Sequence, residues 1–277
     1  MSGVRFVDAN GVRVCVDSTG QGPPVLMLHG FTGDAESMAP AAEPLADAFE
    51  VHRVELVGHG RSDAPDDVAP YSMPACVEQV VAVLDALEIE AAHVYGYSMG
   101  GRAALSLAAA HPARVRSLVL VGATAGLASA EDRADRVASD EALAARIERD
   151  GLEPFVDAWM SLPLFASQKR LGDDALARAR AQRLKGTTTG YANSLRGMGT
   201  GAMPPLHDAL RRLAMPVCLV VGEEDAKFRA IAAQLVAALP DARVEAIAEA
   251  GHAAHLEQPA AMGDVVRRFL SEAGWGE

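Results

Sequence analysis

The sequence predicts a doubly wound α/β fold: a mostly parallel central sheet with helices on both faces, interrupted by one helical insert. Three observations carry this. Short, solid apolar runs recur along the chain, each stopped by glycine or polar residues. Stretches with apolar residues at helical spacing alternate with those runs. The rhythm breaks once, after Ala123, and resumes at Pro216.

Taken in order, residues 4–7 and 12–17 flank Asn10-Gly11, which signals a hairpin. The run Pro24-Val25-Leu26-Met27-Leu28 then ends at His29-Gly30. Similar runs lie at 51–57, 92–95, 115–121, 217–221 and 243–247. Buried parallel strands read this way, because helices cover both faces and no polar alternation is needed. Helices are predicted over 74–87, 100–110, 228–239 and 259–270. From 126 to 205 the patterns are helical with few strand signals. Residues 1–125 and 206–277 therefore read as one α/β core, and 126–205 as a helical lid insert.

The chain has 277 residues, half of them apolar, enough for one large domain with an inserted subdomain. Its formal net charge is −12, which excludes non-specific nucleic-acid binding and offers no basic patch to an anionic membrane. The charge is uneven. Residues 126–205 hold 11 basic and 11 acidic side chains, so the whole excess lies outside the insert. An arginine-rich insert in an acidic protein suits an anionic substrate; solvated helix faces with i,i+4 pairs are the plainer account. Cys15, Cys76 and Cys218 form neither a C-x-x-C nor a disulfide framework, and Cys15 and Cys218 fall in core strands. The first five residues, Met1-Ser2-Gly3-Val4-Arg5, carry no apolar signal core. The longest apolar region, 118–128, is broken by Gly122 and Gly126 and is too short to span a bilayer. A cytoplasmic protein with no membrane partner is expected.

The most specific local signal is Gly96-Tyr97-Ser98-Met99-Gly100. It matches G-x-S-x-G with a strand before it and a helix after it, the flanks this motif needs. A sharp turn there holds Ser98 in a strained conformation with its hydroxyl exposed, and the glycines permit close backbone approach. The helix that follows directs its positive end at the site, and the Met99 N–H is placed to stabilise an oxyanion. A second donor should come from the loop after an earlier strand. His29-Gly30-Phe31-Thr32-Gly33 fits, with the Phe31 N–H as candidate. His29 itself reads as a structural residue that orients this loop.

A serine hydroxyl needs a histidine in hydrogen-bond reach and a carboxylate to fix its tautomer. In this kind of fold they follow in the order Ser, acid, His. Asp225 follows the strand at 217–221, and His252 follows the strand at 243–247. Both lie past carboxyl ends of strands, where open α/β sheets bind ligands. Glu223 and Glu224 share the acid loop, and His255 lies three residues past His252. No metal site is predicted, since there is no H-E-x-x-H, and no cofactor, since neither a dinucleotide fingerprint nor a Walker lysine occurs.

These features resemble the α/β-hydrolase superfamily over nearly the whole chain. Within it, several segments resemble the family of 2-succinyl-6-hydroxy-2,4-cyclohexadiene-1-carboxylate synthase (MenH). They include Gly96-Tyr97-Ser98-Met99-Gly100-Gly101-Arg102, Pro163-Leu164-Phe165-Ala166-Ser167-Gln168, Leu195-Arg196-Gly197-Met198-Gly199-Thr200-Gly201 and Asp225-Ala226-Lys227-Phe228. The second and third are the more specific, because they lie in the otherwise variable lid. Residues 55–57 and 202–203 depart from the superfamily's usual Asp and Pro and from the relatives' polar residue, without touching Ser98, Asp225 or His252.

The resemblance implies an elimination of pyruvate from an enolpyruvyl cyclohexene that carries a succinyl group, with the triad acting as a base. The substrate would be a small tricarboxylate, so the site needs cations. Substrate-binding arginines carry over to Arg102, four residues after Ser98, and to Arg136 and Arg183 in the insert, where Arg133 and Arg180 are neighbouring alternatives. Guanidinium suits carboxylate because its fork binds bidentately. Tyr97 and Trp159 would line the pocket, although Trp159 also reads as an anchor of the lid's own core. Two rivals remain. One is a carboxylesterase using Ser98 as covalent nucleophile, because fold does not fix chemistry. The other is a non-catalytic binding protein of the same fold, against which the complete triad argues.

Overall fold

The computed structural model describes residues 3–274. Met1 and Ser2, the start of the stretch read above for a signal core, and 275–277, the end of the carboxy-terminal core segment, lie outside the described residues. Eight strands form one sheet: β1 (Gly3–Ala9), β2 (Val12–Gly20), β3 (Pro24–Leu28), β4 (Glu50–Glu55), β5 (Ala92–Tyr97), β6 (Val115–Val121), β7 (Val217–Gly222) and β8 (Ala242–Ile247). Their order is β1-β2-β4-β3-β5-β6-β7-β8. The β1–β2 and β2–β4 pairs are antiparallel, and all later pairs are parallel. The predicted hairpin is present, with Asn10 and Gly11 both at positive φ, as a tight two-residue turn requires.

Alternation along the central strands feeds two separate cores. Leu26 and Leu28 of β3, Leu118 and Leu120 of β6, and Leu219 of β7 face one way. Val25, Met27, Val119, Val121, Cys218 and Val220 face the other. The first face is covered by α1 (Met73–Ala86), α2 (Met99–Ala110) and a helix at Ala226–Ala238, the second by the turns at 39–45 and a helix at Pro259–Ala273. Both faces being covered is why these strands read as solid apolar runs.

Two strand expectations need correction. The run at 243–247 was expected to be buried on both faces, yet β8 is an edge strand paired only with β7, and Val244 is 41% exposed. Its charges, Arg243 and Glu245, sit where an edge strand commonly carries them. The run at 51–57 stops pairing at Glu55, and Leu56 and Val57 enter a buried turn whose Leu56 N–H donates to Nε2 of His29 at 3.0 Å.

Between β6 and β7 lie α3 (Ala130–Asp150), α4 (Leu152–Met160), a 3-10 helix (Pro163–Leu171), α5 (Asp173–Arg183) and α6 (Thr188–Met198). In chain order the two long helices after β7 are then α7 (Ala226–Ala238) and α8 (Pro259–Ala273), with a single helical turn at Ala254–Glu257 between them. The inserted helices share a small core of Ile147, Phe155, Val156, Tyr191 and Leu195. Their arginines mostly pair between elements rather than at i,i+4: Arg196 bridges Glu141 and Glu148, and Arg180 meets Asp157. Arg136–Asp140 is the i,i+4 pair. Among the described residues no helix is long and apolar enough to cross a membrane.

Candidate active site

Strand order reverses between β3 and β5, since β4 lies on the other side of β3. At such a switch point the connecting chains diverge and leave a crevice at the strands' carboxyl ends. The loop after β3 brings Phe31 to one side of it, and the turn after β5 brings Ser98 to the other.

Ser98 has φ 52° and ψ −107°, a region a non-glycine residue rarely occupies. Holding it costs on the order of 1–3 kcal/mol, sustained by the surrounding structure. Its N–H donates to Val121 O at 2.8 Å, and its carbonyl accepts from Arg102 N at 3.1 Å. The flanking glycines are steric necessities. A Cβ on Gly96 would lie 2.4 Å from Gly100 O, and one on Gly100 would lie 2.1 Å from Leu28 O.

His252 Nε2 stands 3.1 Å from Ser98 Oγ, and His252 Nδ1 stands 2.8 Å from Asp225 Oδ2. An ionised carboxylate only accepts, so Nδ1 carries the proton and Nε2 is free to accept from the serine. Asp225 is 7% exposed, and its other oxygen caps α7 by accepting from Phe228 N at 3.1 Å. One carboxylate therefore both starts a helix and orients an imidazole. The ring is boxed by Phe228 at 4.5 Å, Tyr97 at 5.4 Å and Phe165 at 6.1 Å between centroids.

The rival groups are engaged elsewhere. Glu223 and Glu224 are exposed, and Glu224 pairs with Arg170. His255 is buried edge-on against Tyr97 at 4.4 Å, and burial, with His252 and Arg183 nearby, pushes its imidazole down to about 3. His29 accepts from Leu56 N at Nε2, so its Nδ1–H donates to Gly30 O at 2.8 Å. Burial holds it neutral, and it fixes the loop that carries Phe31. Among the described residues, neither the Phe31 N–H nor the Met99 N–H has a protein acceptor, and both residues line the cavity over Ser98.

That cavity is also lined by Tyr97, Trp159, Arg102 and Arg136. Arg102 is 8% exposed; its Nη1 donates to Met198 O and lies 3.7 Å from Met203 Sδ, and among the described residues no carboxylate forms an ion pair with it, although Asp140 is near enough to favour its charge. Burial, with Arg136 nearby, pushes its guanidinium down to about 10, so it remains a cation at neutral pH. Arg136 donates from Nε to Asp140 Oδ1 at 2.8 Å. Trp159 lines the cavity and packs edge-on against Phe31 at 5.1 Å beside the insert's core. Arg183 does not line this cavity. It borders a neighbouring one with Gln168 and Gln182, donates from Nη1 to Ala179 O at 2.8 Å, and keeps a buried Nε without a partner. The alternatives are committed, Arg133 to Leu127 O and Ala128 O, and Arg180 to Asp157.

Phe165, Lys227 and Phe228 are among the lining residues that sequence reasoning did not single out. The available signal was Asp225-x-Lys-Phe: a cation and an aromatic in the first turn of a helix capped by the candidate acid. Lys227 is exposed, and no carboxylate among the described residues forms an ion pair with it.

A strained serine at a strand–helix turn, a histidine beside it and a buried carboxylate behind that define an enzyme of the alpha/beta hydrolase fold, whose family pattern matches residues 23–259. A Bacillus subtilis (strain 168) protein, provisionally named 2-succinyl-6-hydroxy-2,4-cyclohexadiene-1-carboxylate synthase, is 41% identical over 273 residues, 98% of this chain and 99% of its own. The synthase of Enterobacter sp. (strain 638) is 34% identical over 90% of this chain and 92% of its own. MenH from S. aureus superposes with a TM-score of 0.88 at 29% identity, covering 99% of both chains. The chain belongs to the 2-succinyl-6-hydroxy-2,4-cyclohexadiene-1-carboxylate synthase family.

Proposed function

We propose that this enzyme eliminates pyruvate from 5-enolpyruvoyl-6-hydroxy-2-succinyl-cyclohex-3-ene-1-carboxylate, giving 2-succinyl-6-hydroxy-2,4-cyclohexadiene-1-carboxylate for menaquinone or a related quinone. In this reading His252 draws the Ser98 proton, and Ser98 removes the proton alpha to the succinyl ketone. Charge develops on the ketone oxygen, facing the N–H groups of Phe31 and Met99. As the carbonyl reforms, the electron pair moves through the conjugated system and breaks the carbon–oxygen bond to the enolpyruvyl group. The proton held by the Ser98–His252 pair goes to the departing enolpyruvate, which becomes pyruvate. No acyl-enzyme forms. The residues 126–205 act as a lid, and a cytoplasmic location belongs to the same proposal.

One observation carries the reading beyond family membership. Arg102 is a buried cation that forms no ion pair with a carboxylate among the described residues, and it lines the same cavity as Ser98. A buried cation held only by a backbone carbonyl and a carboxylate beyond ion-pair distance is poorly compensated, so such a site suits an anion that arrives with the substrate. Lys227 lines the same cavity, as does Arg136, which is paired with Asp140. The test is pyruvate release from the enolpyruvyl substrate by the wild type and by Arg102→Ala. Turnover far above background in the wild type, with kcat/KM reduced by about 100-fold or more in the variant, supports both the lyase and the carboxylate clamp. No pyruvate, with rapid hydrolysis of aryl esters, leaves a serine esterase that uses Ser98 as a covalent nucleophile.

A further inference from the structure

The 3-10 helix Pro163–Leu171 touches the proposed catalytic apparatus at both ends. Near its start, Leu164 and Phe165 line the cavity over Ser98. Near its end, Arg170 leaves the insert and grips two loops of the core. Its Nη1 donates to both carboxylate oxygens of Glu224, at 2.9 and 3.0 Å, in the residue just before Asp225. Its Nη2 donates to Glu249 O at 2.9 Å and lies 3.5 Å from Glu257 Oε2, on either side of His252 in sequence.

Glu257 is the inner half of this arrangement. Its side chain is 3% exposed, and its Oε2 accepts from the Gly251 N–H at 2.9 Å, in the residue just before His252. Ser167, on the same 3-10 helix as Arg170, closes over Gly251 so tightly that a Cβ there would lie 2.1 Å from its Oγ. The acid and histidine loops are also tied to each other, through Glu223 N to Ile247 O and Glu224 N to Ala250 O, both at 2.9 Å.

We infer that Arg170 is a positioning residue: it latches the inserted helices onto the loops that carry Asp225 and His252, and so sets the placement of the imidazole against Ser98. This inference rests on the catalytic roles proposed above for those residues. The physical argument turns on where the ion pairs act. Arg170 and Glu224 are 50% and 45% exposed, and ion pairs at such exposure add little to global stability. They do restrain the loops that carry Asp225 and His252, whose placement sets the 2.8 Å contact between those two residues and the 3.1 Å approach of His252 to Ser98. Misplacement of a catalytic group by about 1 Å reduces rate far more than it reduces stability.

The experiment compares wild type, Arg170→Met, Arg170→Lys and Glu224→Gln by steady-state pyruvate release, with thermal unfolding alongside. Arg170→Met should lower kcat about tenfold with KM within about twofold, while Tm moves by only a degree or two. Arg170→Lys, which keeps the charge but not the fork, should recover part of the kcat, and Glu224→Gln should lose part of it. A kcat for Arg170→Met within twofold of wild type, or a loss carried by KM alone, overturns the latch. If Arg170→Met does not fold, Glu224→Gln decides on the same criterion. Absence of wild-type pyruvate release counts against the proposed reaction and not the latch, which the same variants then test through kcat for aryl ester hydrolysis.

Discussion

A Cβ placed on Gly122 would lie 2.7 Å from Cε1 of His252, closer than any real side chain tolerates. Gly122 closes β6 with φ +55°, so it combines a left-handed backbone with the flat wall against which the imidazole rests. Gly122→Ala should therefore displace the ring while leaving the sheet assembled. We expect kcat to fall by about 100-fold or more with the far-ultraviolet circular dichroism unchanged. A variant of full activity would show that the ring has slack at this contact.

Asp225→Asn removes the charge that fixes Nδ1–H on His252 and presents an amide that stabilises the wrong tautomer. Loss of kcat by roughly 10³–10⁴-fold is expected, as when the tautomer of a Ser-His-Asp relay is inverted. The N-cap of α7 survives, because an asparagine oxygen still accepts from Phe228 N. Unfolding midpoints should thus stay close to wild type while turnover collapses, and equal losses in both would point to a folding defect.

Lys227 is a cation on the cavity wall that touches no part of the Ser98–His252–Asp225 relay. Lys227→Met should raise KM for the tricarboxylate about tenfold with kcat little changed, the signature of binding energy shared by ground and transition states. Raising ionic strength should weaken the wild-type KM more than that of the variant.

Burial pushes the imidazoles of His59 and His255 down to about 3, from an ordinary value of 6.5. Above pH 6.5 both are neutral whether folded or not, and their effect on stability is constant. As pH falls below that, the unfolded chain takes up protons that the folded chain refuses until about 3. Stability therefore drops with falling pH through this window, by about 1.4 kcal/mol per pH unit for each histidine. Urea unfolding between pH 7 and pH 5 should show it, and His255→Asn should flatten the slope by about one histidine's share. Parallel slopes for the variant and wild type would contradict the assignment.

Much of this molecule was legible in its residues. The solid apolar runs of the central strands, the hairpin at Asn10-Gly11 and the elbow at Ser98 follow from local rules, since each depends on neighbours a few residues away. So does the order of Ser98, Asp225 and His252 along the chain, because strand ends in this architecture converge on one crevice. Edge and interior strands were not distinguishable at 243–247, because that distinction depends on which strands pair and not on the strand itself. Arg183 was grouped with Arg102 by resemblance, yet it borders a separate cavity; the angle at which α5 packs decides that, and no spacing encodes it. The grip of Arg170 on Glu224 was invisible for the same reason, whereas Lys227 had a local signal in its place two residues after Asp225. The sequence by itself determined the fold class, the strained serine and the partners that would serve it. The tertiary structure alone decided which cations share the cavity and how the inserted helices hold the catalytic loops, because such contacts join residues far apart in the chain, 54 positions for Arg170 and Glu224, and only the packing of whole elements brings them together.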